Sequence, residues 1–276
     1  MNFLDTILAA KRDEIARAKA LVPQPQIERL AAARADAPRG FAAALDRPGV
    51  RVIAEIKRAS PSLGDIRPDL DAAAMARAYA DGGAAALSVL TEPAFFKGSA
   101  ADLRQARGAA AIPVLRKDFI VDPYQVYETA AMGADAMLLI VRILEDEPLH
   151  ALHALARQLG LDVLTEVFDG HDAARARALG ATLVGINNRN LAQFSTDVTR
   201  SATLAKTFPP GVAIAALSGI HSAAAIRQCL GHGLRRFLVG EALVRASDPT
   251  TTLREWTQLR ANPIGRTHRF APTSTG

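Results

Sequence analysis

The strongest constraint on this chain is an alternation of two textures. From about residue 50, short runs rich in β-branched residues and leucine take turns with alanine-rich segments of helical period. The runs cover 50–56, 85–90, 112–115, 134–141, 161–167, 182–186, 212–217 and 236–239. Helical segments between them include 71–81, 123–132, 147–159, 172–179 and 222–230. Glycines mark where these segments stop, as in Asp81-Gly82-Gly83, Met132-Gly133, Leu159-Gly160, Leu179-Gly180 and Gly231-His232-Gly233, a pattern typical of helix C-termini. The runs are apolar at consecutive positions, which suits parallel strands covered on both faces. Their spacing, mostly in the twenties or low thirties, fits a repeated βα unit. A doubly wound open sheet shares that rhythm, but eight units favour closure, and no dinucleotide glycine fingerprint follows the first run. The expected fold is α/β, a (β/α)8 TIM barrel with an N-terminal helical extension.

The chain's 276 residues are compatible with one barrel domain, here expected over 1–261. Residues 1–49 precede the first run. Leu4, Ile7, Leu8 and Ile15 line one helical face, Val22-Pro23-Gln24-Pro25 breaks the chain, and a second alanine-rich segment covers about 26–45. The last stretch, 262–276, has little apolar periodicity and is expected to be a disordered tail.

Composition narrows the function. The net charge of +5 is dispersed, with no block of five basic residues, and only three tyrosines and one tryptophan are available for base stacking. That argues against a nucleic-acid surface and leaves an anionic small molecule as the natural partner. The longest strongly apolar stretch, 136–141, is too short for a bilayer, and the charged first twenty residues carry no signal pattern, so neither membrane nor export is expected and the protein reads as cytoplasmic. The single cysteine, Cys229, rules out an internal disulfide and a multi-cysteine metal site; in its apolar helical setting it reads as a small buried side chain. Lysine occurs only at 11, 19, 57, 97, 117 and 206, against 27 arginines. Where arginine is favoured so heavily, a lysine suggests a need for a group that gives up its proton.

In a barrel of this kind the loops after the strand C-termini build the active site. The first run exits through Glu55-Ile56-Lys57-Arg58-Ala59-Ser60-Pro61-Ser62. Period two puts Glu55 and Lys57 on one face, either in the barrel mouth or as a solvent-exposed ion pair. The third exits through Arg116-Lys117-Asp118-Phe119, the fifth ends Leu164-Thr165-Glu166-Val167, and the sixth leads into Asn187-Asn188-Arg189-Asn190. A glutamate in an apolar run needs a partner or a polar pocket, because burying it alone costs several kcal/mol. Taken together, these residues favour an active site over scaffold salt bridges. The seventh and eighth runs lead into Ser218-Gly219-Ile220 and Gly240-Glu241-Ala242. Small residues before helix starts expose backbone N–H groups suited to a phosphate dianion, at the loops where this fold usually holds one.

These residues, in order, resemble one family. Glu55-Ile-Lys57-Arg-Ala-Ser60-Pro61-Ser62, Ser88-Val-Leu-Thr-Glu92, Phe95-Phe96-Lys-Gly98-Ser99, Leu115-Arg-Lys117-Asp-Phe119, Gly185-Ile-Asn187-Asn-Arg189-Asn-Leu191 and Phe237-Leu-Val-Gly240-Glu241 look like the motifs of indole-3-glycerol phosphate synthase. The resemblance runs from about residue 3 to 256. It implies a phosphorylated anthranilate–ribulose substrate, closed to an indole with loss of carbon dioxide and water in tryptophan biosynthesis, without cofactor or metal. It also implies roles. Lys117 matches the general acid for ring closure, and Glu166 the base or proton-shuttling carboxylate. Lys57 matches a lysine on the substrate carboxylate, held by Glu55, and Asn187 a residue orienting the sugar and Glu166. Arg189 would grip the anthranilate carboxylate, with Pro61, Phe96, Phe119 and Leu191 around the aromatic ring. Ser60, Ser218, Gly219, Gly240 and Glu241 match the phosphate cradle. Both lysines stay candidates for the two acid steps. The working unit is expected to be a monomer or weak homodimer.

The chain departs from the family pattern at Leu217, where the family usually has glutamate before Ser-Gly-Ile, and at Leu63, where many bacterial members are basic. Three readings follow: an active synthase of reduced or re-tuned activity, a paralogue closing a modified anthranilate substrate, and a catalytically weak barrel kept as a binding partner.

Overall fold

The computed structural model describes residues 3–188 and 199–260. Its strands are β1 (Arg51–Ile56), β2 (Ala59–Ser60), β3 (Gly64–Asp65), β4 (Ala86–Leu90), β5 (Val114–Lys117), β6 (Ala136–Ile140), β7 (Asp162–Val167), β8 (Leu183–Asn187), β9 (Ala213–Leu217) and β10 (Arg236–Val239). β2 and β3 form a small antiparallel hairpin. The other eight close into a barrel in the order β1-β10-β9-β8-β7-β6-β5-β4, every neighbour parallel. This is the (β/α)8 architecture that the alternation predicts.

Three helices precede the barrel: α1 (Phe3–Leu21), α2 (Gln24–Ala32) and α3 (Phe41–Asp46). Around and after it run α4 (Ala72–Asp81), α5 (Pro93–Phe96), α6 (Ala100–Ala109), α7 (Pro123–Ala131), α8 (Asp146–Gln158), α9 (Gly170–Ala178), α10 (Thr199–Ala205), α11 (Ala223–Gly231), α12 (Glu241–Val244) and α13 (Pro249–Thr257). Their starts are written locally. The side chains of Asp71, Asp122, Asp169 and Ser222 accept backbone N–H bonds in the first turns of α4, α7, α9 and α11, satisfying donors that have no partner inside the helix. After α7 and α8, Gly133 and Gly160 take left-handed φ values of 83° and 74°, which other residues adopt only with strain.

The core has two shells. Ile53, Leu115, Leu138, Leu164, Leu183, Ala215 and Leu238 fill the barrel interior. Val52, Ala54, Leu87, Val114, Leu139, Val163, Val184 and Phe237 pack outward with the helices. Alternate residues of each strand therefore enter different shells, and both shells are apolar, which is why the strand sequences run apolar without a break. The lower end of the interior is plugged by α3, whose Phe41 and Leu45 are fully buried in the inner shell. Arg51 Nε donates to the Ala44 carbonyl at 3.1 Å and Arg236 Nε to that of Leu45 at 2.9 Å, so two cations meet the carbonyl end of the plug.

Two expectations are corrected. The alanine-rich segment expected over 26–45 is two helices, α2 and α3, with an irregular stretch between them. Pro38 cannot continue a helix, and Gly40 has φ 67°. The Arg39 backbone N–H is drawn instead to Asp135 Oδ1 at 2.9 Å, and its guanidinium to the carbonyls of Ala110 and Ile112. The third and sixth strands also reach further than their apolar runs, to Lys117 and Asn187. Pairing with Leu90 and Leu217 carries these polar residues within the ladder, where hydrophobicity does not register them. The 262–276 tail lies outside the described residues.

Candidate active site

At the C-terminal ends of the strands the barrel opens into a cavity of about 440 Å³. Its walls include Glu55, Lys57, Ser60, Pro61, Phe96, Lys117, Phe119, Glu166, Asn187, Ser218, Gly219, Gly240 and Glu241. Every site residue expected from the sequence is thus brought to one place, except Arg189 and Leu191, which lie outside the described residues.

β1 supplies Glu55 and Lys57, whose Oε1 and Nζ are 2.7 Å apart, with Glu55 almost fully buried. They form an ion pair inside the mouth, not on the surface. Gly240, at the end of the neighbouring β10, makes room for it: a Cβ there would stand 2.3 Å from Glu55 Oε1 and 3.1 Å from Lys57 Nζ. β5 contributes Lys117 at its last position.

Glu166 comes from β7 and is 3% exposed. Its Oε1 accepts a hydrogen bond from Asn187 Nδ2 at 3.1 Å, across the β7–β8 seam, while its Oε2 is buried without a partner among the described residues. Burial pushes the Glu166 carboxyl above its ordinary value, and the Lys117 ammonium and the Asn187 amide oppose that rise. A carboxylate with an open oxygen, poised to take up a proton and faced by a lysine, is suited to general acid–base work.

The loop after β9 holds Ser218 and Gly219 at φ 65° and 80°. Left-handed geometry is uncommon for serine, and here Asn188 fixes it. Its backbone N–H bonds the Leu217 carbonyl at 2.8 Å, its Nδ2 the Ser218 carbonyl at 3.2 Å, and its Oδ1 receives Ser201 Oγ at 2.7 Å. Ser60 Oγ, on the hairpin across the cavity, is buried without a partner among the described residues. Phe96 and Phe119 face each other with centroids 6.2 Å apart at 42°. Phe96 is placed by α5, whose first N–H groups are all gathered by the buried Glu92 carboxylate.

Sequence reasoning missed several wall residues. Arg142, just past β6, stacks over Phe168 at 4.0 Å and pairs with Asp169 and Asp172 at 2.7 and 2.9 Å. The rule of strand exits points to Arg142 as well, since it follows the fourth run. Asp169, His171 and Asp172 converge closely enough to suggest a cation site, but the two aspartates already serve Arg142 and the start of α9. Leu4 and Ile7 of α1 also reach the cavity, and nothing local in the sequence marks them for it. Leu217 lies in the wall beside Ser218, 2% exposed. Cys229 is buried, as its apolar setting predicts.

Comparison with known proteins fits this picture. A family model described as indole-3-glycerol phosphate synthase matches residues 4–256. A relative named indole-3-glycerol phosphate synthase from Desulfosudis oleivorans is 47% identical over 92% of this chain and 98% of its own length. Relatives of the same name from Syntrophobacter fumaroxidans and Rhizorhabdus wittichii are 45% and 49% identical, over 91% and 90% of this chain and 96% and 95% of theirs. Among solved structures, a thiamine phosphate pyrophosphorylase from Pyrococcus furiosus superposes with a TM-score of 0.55 at 16% identity, covering 75% of this chain and 93% of that one. At such identity the superposition speaks for the fold alone.

Proposed function

The chain belongs to the indole-3-glycerol phosphate synthase family, and we propose that the cavity's own side chains divide that family's reaction among them as follows. The substrate is 1-(2-carboxyphenylamino)-1-deoxyribulose 5-phosphate. The aromatic carbon bearing the carboxylate attacks the sugar carbonyl, carbon dioxide leaves, and elimination of water gives indole-3-glycerol phosphate. Lys117 delivers a proton to the carbonyl oxygen as it becomes an alkoxide, and its positive charge offsets the developing negative one. Glu166 takes and returns protons during dehydration, with Asn187 orienting it. Lys57, held by its ion pair with Glu55, faces the substrate carboxylate and is the second acid.

Phe96, Phe119 and Pro61 hold the aromatic ring in this reading, with Arg189 and Leu191 expected to complete that end. Ser60, Ser218, Gly219, Gly240 and the Glu241 amide receive the phosphate. We take a monomer, or at most a weak homodimer, as the working unit, in the cytoplasm. No described helix is long and apolar enough to cross a membrane. The paralogue and binding-partner readings suggested by Leu217 find no support among relatives that carry the synthase name.

The observation that carries this reading is the convergence of Lys57, Lys117 and Glu166 on one cavity, with Glu166 Oε2 buried and without a partner among the described residues. Lys117→Ala tests it. Turnover is expected to fall by about 10²–10⁴-fold, while a product-like ligand keeps its affinity, because the acid acts mainly in the transition state. Near-normal turnover in that variant would overturn the assignment.

A further inference from the structure

Lys11, on α1, is only 1% exposed. Its ammonium lies 2.7 Å from Asp118 Oδ1 and 2.7 Å from Glu14 Oε2. Asp118 is the residue between Lys117 and Phe119, two members of the cavity wall. Its side chain is fully buried and is not among those lining the cavity. Oδ1 also accepts the Phe119 N–H at 2.8 Å, while Oδ2 accepts from Thr91 Oγ1 at 2.6 Å and from Arg116 at 3.0 Å. Arg116 in turn reaches Glu128 Oε2, Thr129 Oγ1 and the Gln125 carbonyl on α7. Two cations and a wholly buried carboxylate thus meet behind the end of β5. Because of them the Asp118 carboxyl is held below its ordinary value despite complete burial.

The same helix presents Leu4 and Ile7 to the cavity. Leu4, Ile7, Lys11 and Ala18 recur at intervals of three, four and seven, one stripe of a helix. The upper part of this stripe forms cavity wall, and Lys11 enters the barrel wall one turn further on. Lower down, the Ala18 carbonyl accepts from Tyr124 Oη at 3.1 Å, and Lys19 pairs with Asp122 at 2.7 Å. The β5–α7 connection is therefore clamped to α1 at several heights, and the clamp nearest the cavity is a buried charge pair adjoining Lys117. A lysine suits this place because its compact ammonium enters a narrow gap where a planar guanidinium needs a wider one.

We propose that Lys11 is a positioning residue, whose ion pair with Asp118 sets where Lys117 and Phe119 stand in the cavity and so couples the seating of α1 to turnover. This rests on Lys117 being the general acid. The test compares kcat and KM of wild type, Lys11→Met and Lys117→Ala with the anthranilate-derived ribulose phosphate substrate, well below each melting temperature. Lys11→Met is expected to lower kcat about ten- to a hundred-fold with KM nearly unchanged, since a displacement of about 1 Å costs rate on that order. If Lys11→Met lowers only the melting temperature and kcat stays at the wild-type value, the proposal is overturned, while an inactive Lys117→Ala leaves the assignment of the acid standing. If Lys117→Ala is itself active, the proposal falls together with that assignment. Should Lys11→Met fail to fold, Lys11→Gln, which keeps a donor toward Asp118, carries the same comparison.

Discussion

Glu166 shows how much a single position combines. It stands on a strand beside Val163, Leu164 and Val167, 3% exposed, with one oxygen held by Asn187 and the other without a partner among the described residues. Its carboxyl is raised from the ordinary value of 4.5, burial being the main cause. The folded protein therefore binds this proton more tightly than the unfolded chain does. Its contribution to stability is most favourable below the ordinary carboxylate pKa and declines as pH rises through the raised one. Glu166→Gln removes the charge, so the variant is expected to melt at a higher temperature than wild type near pH 7, with the advantage gone by about pH 4. Turnover is expected to drop by about 10²–10⁴-fold. Thermal unfolding followed across pH, alongside turnover, checks both parts; a variant less stable at neutral pH would show that burial is not the dominant influence. At this scale the sequence was informative. A glutamate within an apolar run announced a pocket, and lysines in a chain that prefers arginine drew attention to Lys57 and Lys117. Lys11 belonged to the same short set, but its partner Asp118 is 107 positions away, a distance no local pattern bridges.

Between elements, Leu217 of β9 leans over Gly185 of β8. A Cβ on Gly185 would lie 2.5 Å from Leu217 Cδ1 and 3.3 Å from Leu164 Cδ1, so the bare glycine leaves a slot that the leucine fills. A carboxylate at position 217 would replace these apolar contacts. Leu217→Glu is therefore expected to lower the melting temperature, because a buried charge lacking a close partner costs several kcal/mol, and to leave kcat/KM no higher than in wild type. A clear rise in kcat/KM would mark the leucine as a lesion instead of a fitted part of the wall. Helix ends were legible because glycines such as Gly133 and Gly160 mark the stop where they stand. Element ends at the cavity were not, since Lys117 and Asn187 extend their strands through pairing with Leu90 and Leu217, and polar residues give no apolar signal.

For the whole molecule, the barrel depends on what stands before it in the chain. α3 fills the lower end of the interior with Phe41 and Leu45, and α1 lines part of the upper cavity with Leu4 and Ile7. The region before β1 is thus built into both ends of the barrel. Phe41→Ala is expected to cost about 3–5 kcal/mol, through lost burial and the cavity left at the lower end of the inner shell. Chemical denaturation measures it, and a loss below about 1 kcal/mol would mean that the lower end closes without α3. The sequence by itself determined the parallel barrel, because two-sided burial and glycine-terminated helices are written residue by residue. It determined, for the same reason, the strand exits whose residues line the cavity. Only the tertiary structure decided that Glu55 and Lys57 pair inside the mouth, that Arg142 stacks on Phe168 and pairs with Asp169 and Asp172, and that Lys11 reaches behind Lys117. Those contacts arise when barrel closure brings together segments far apart in sequence, and their energies come from burial and charge that no isolated segment possesses.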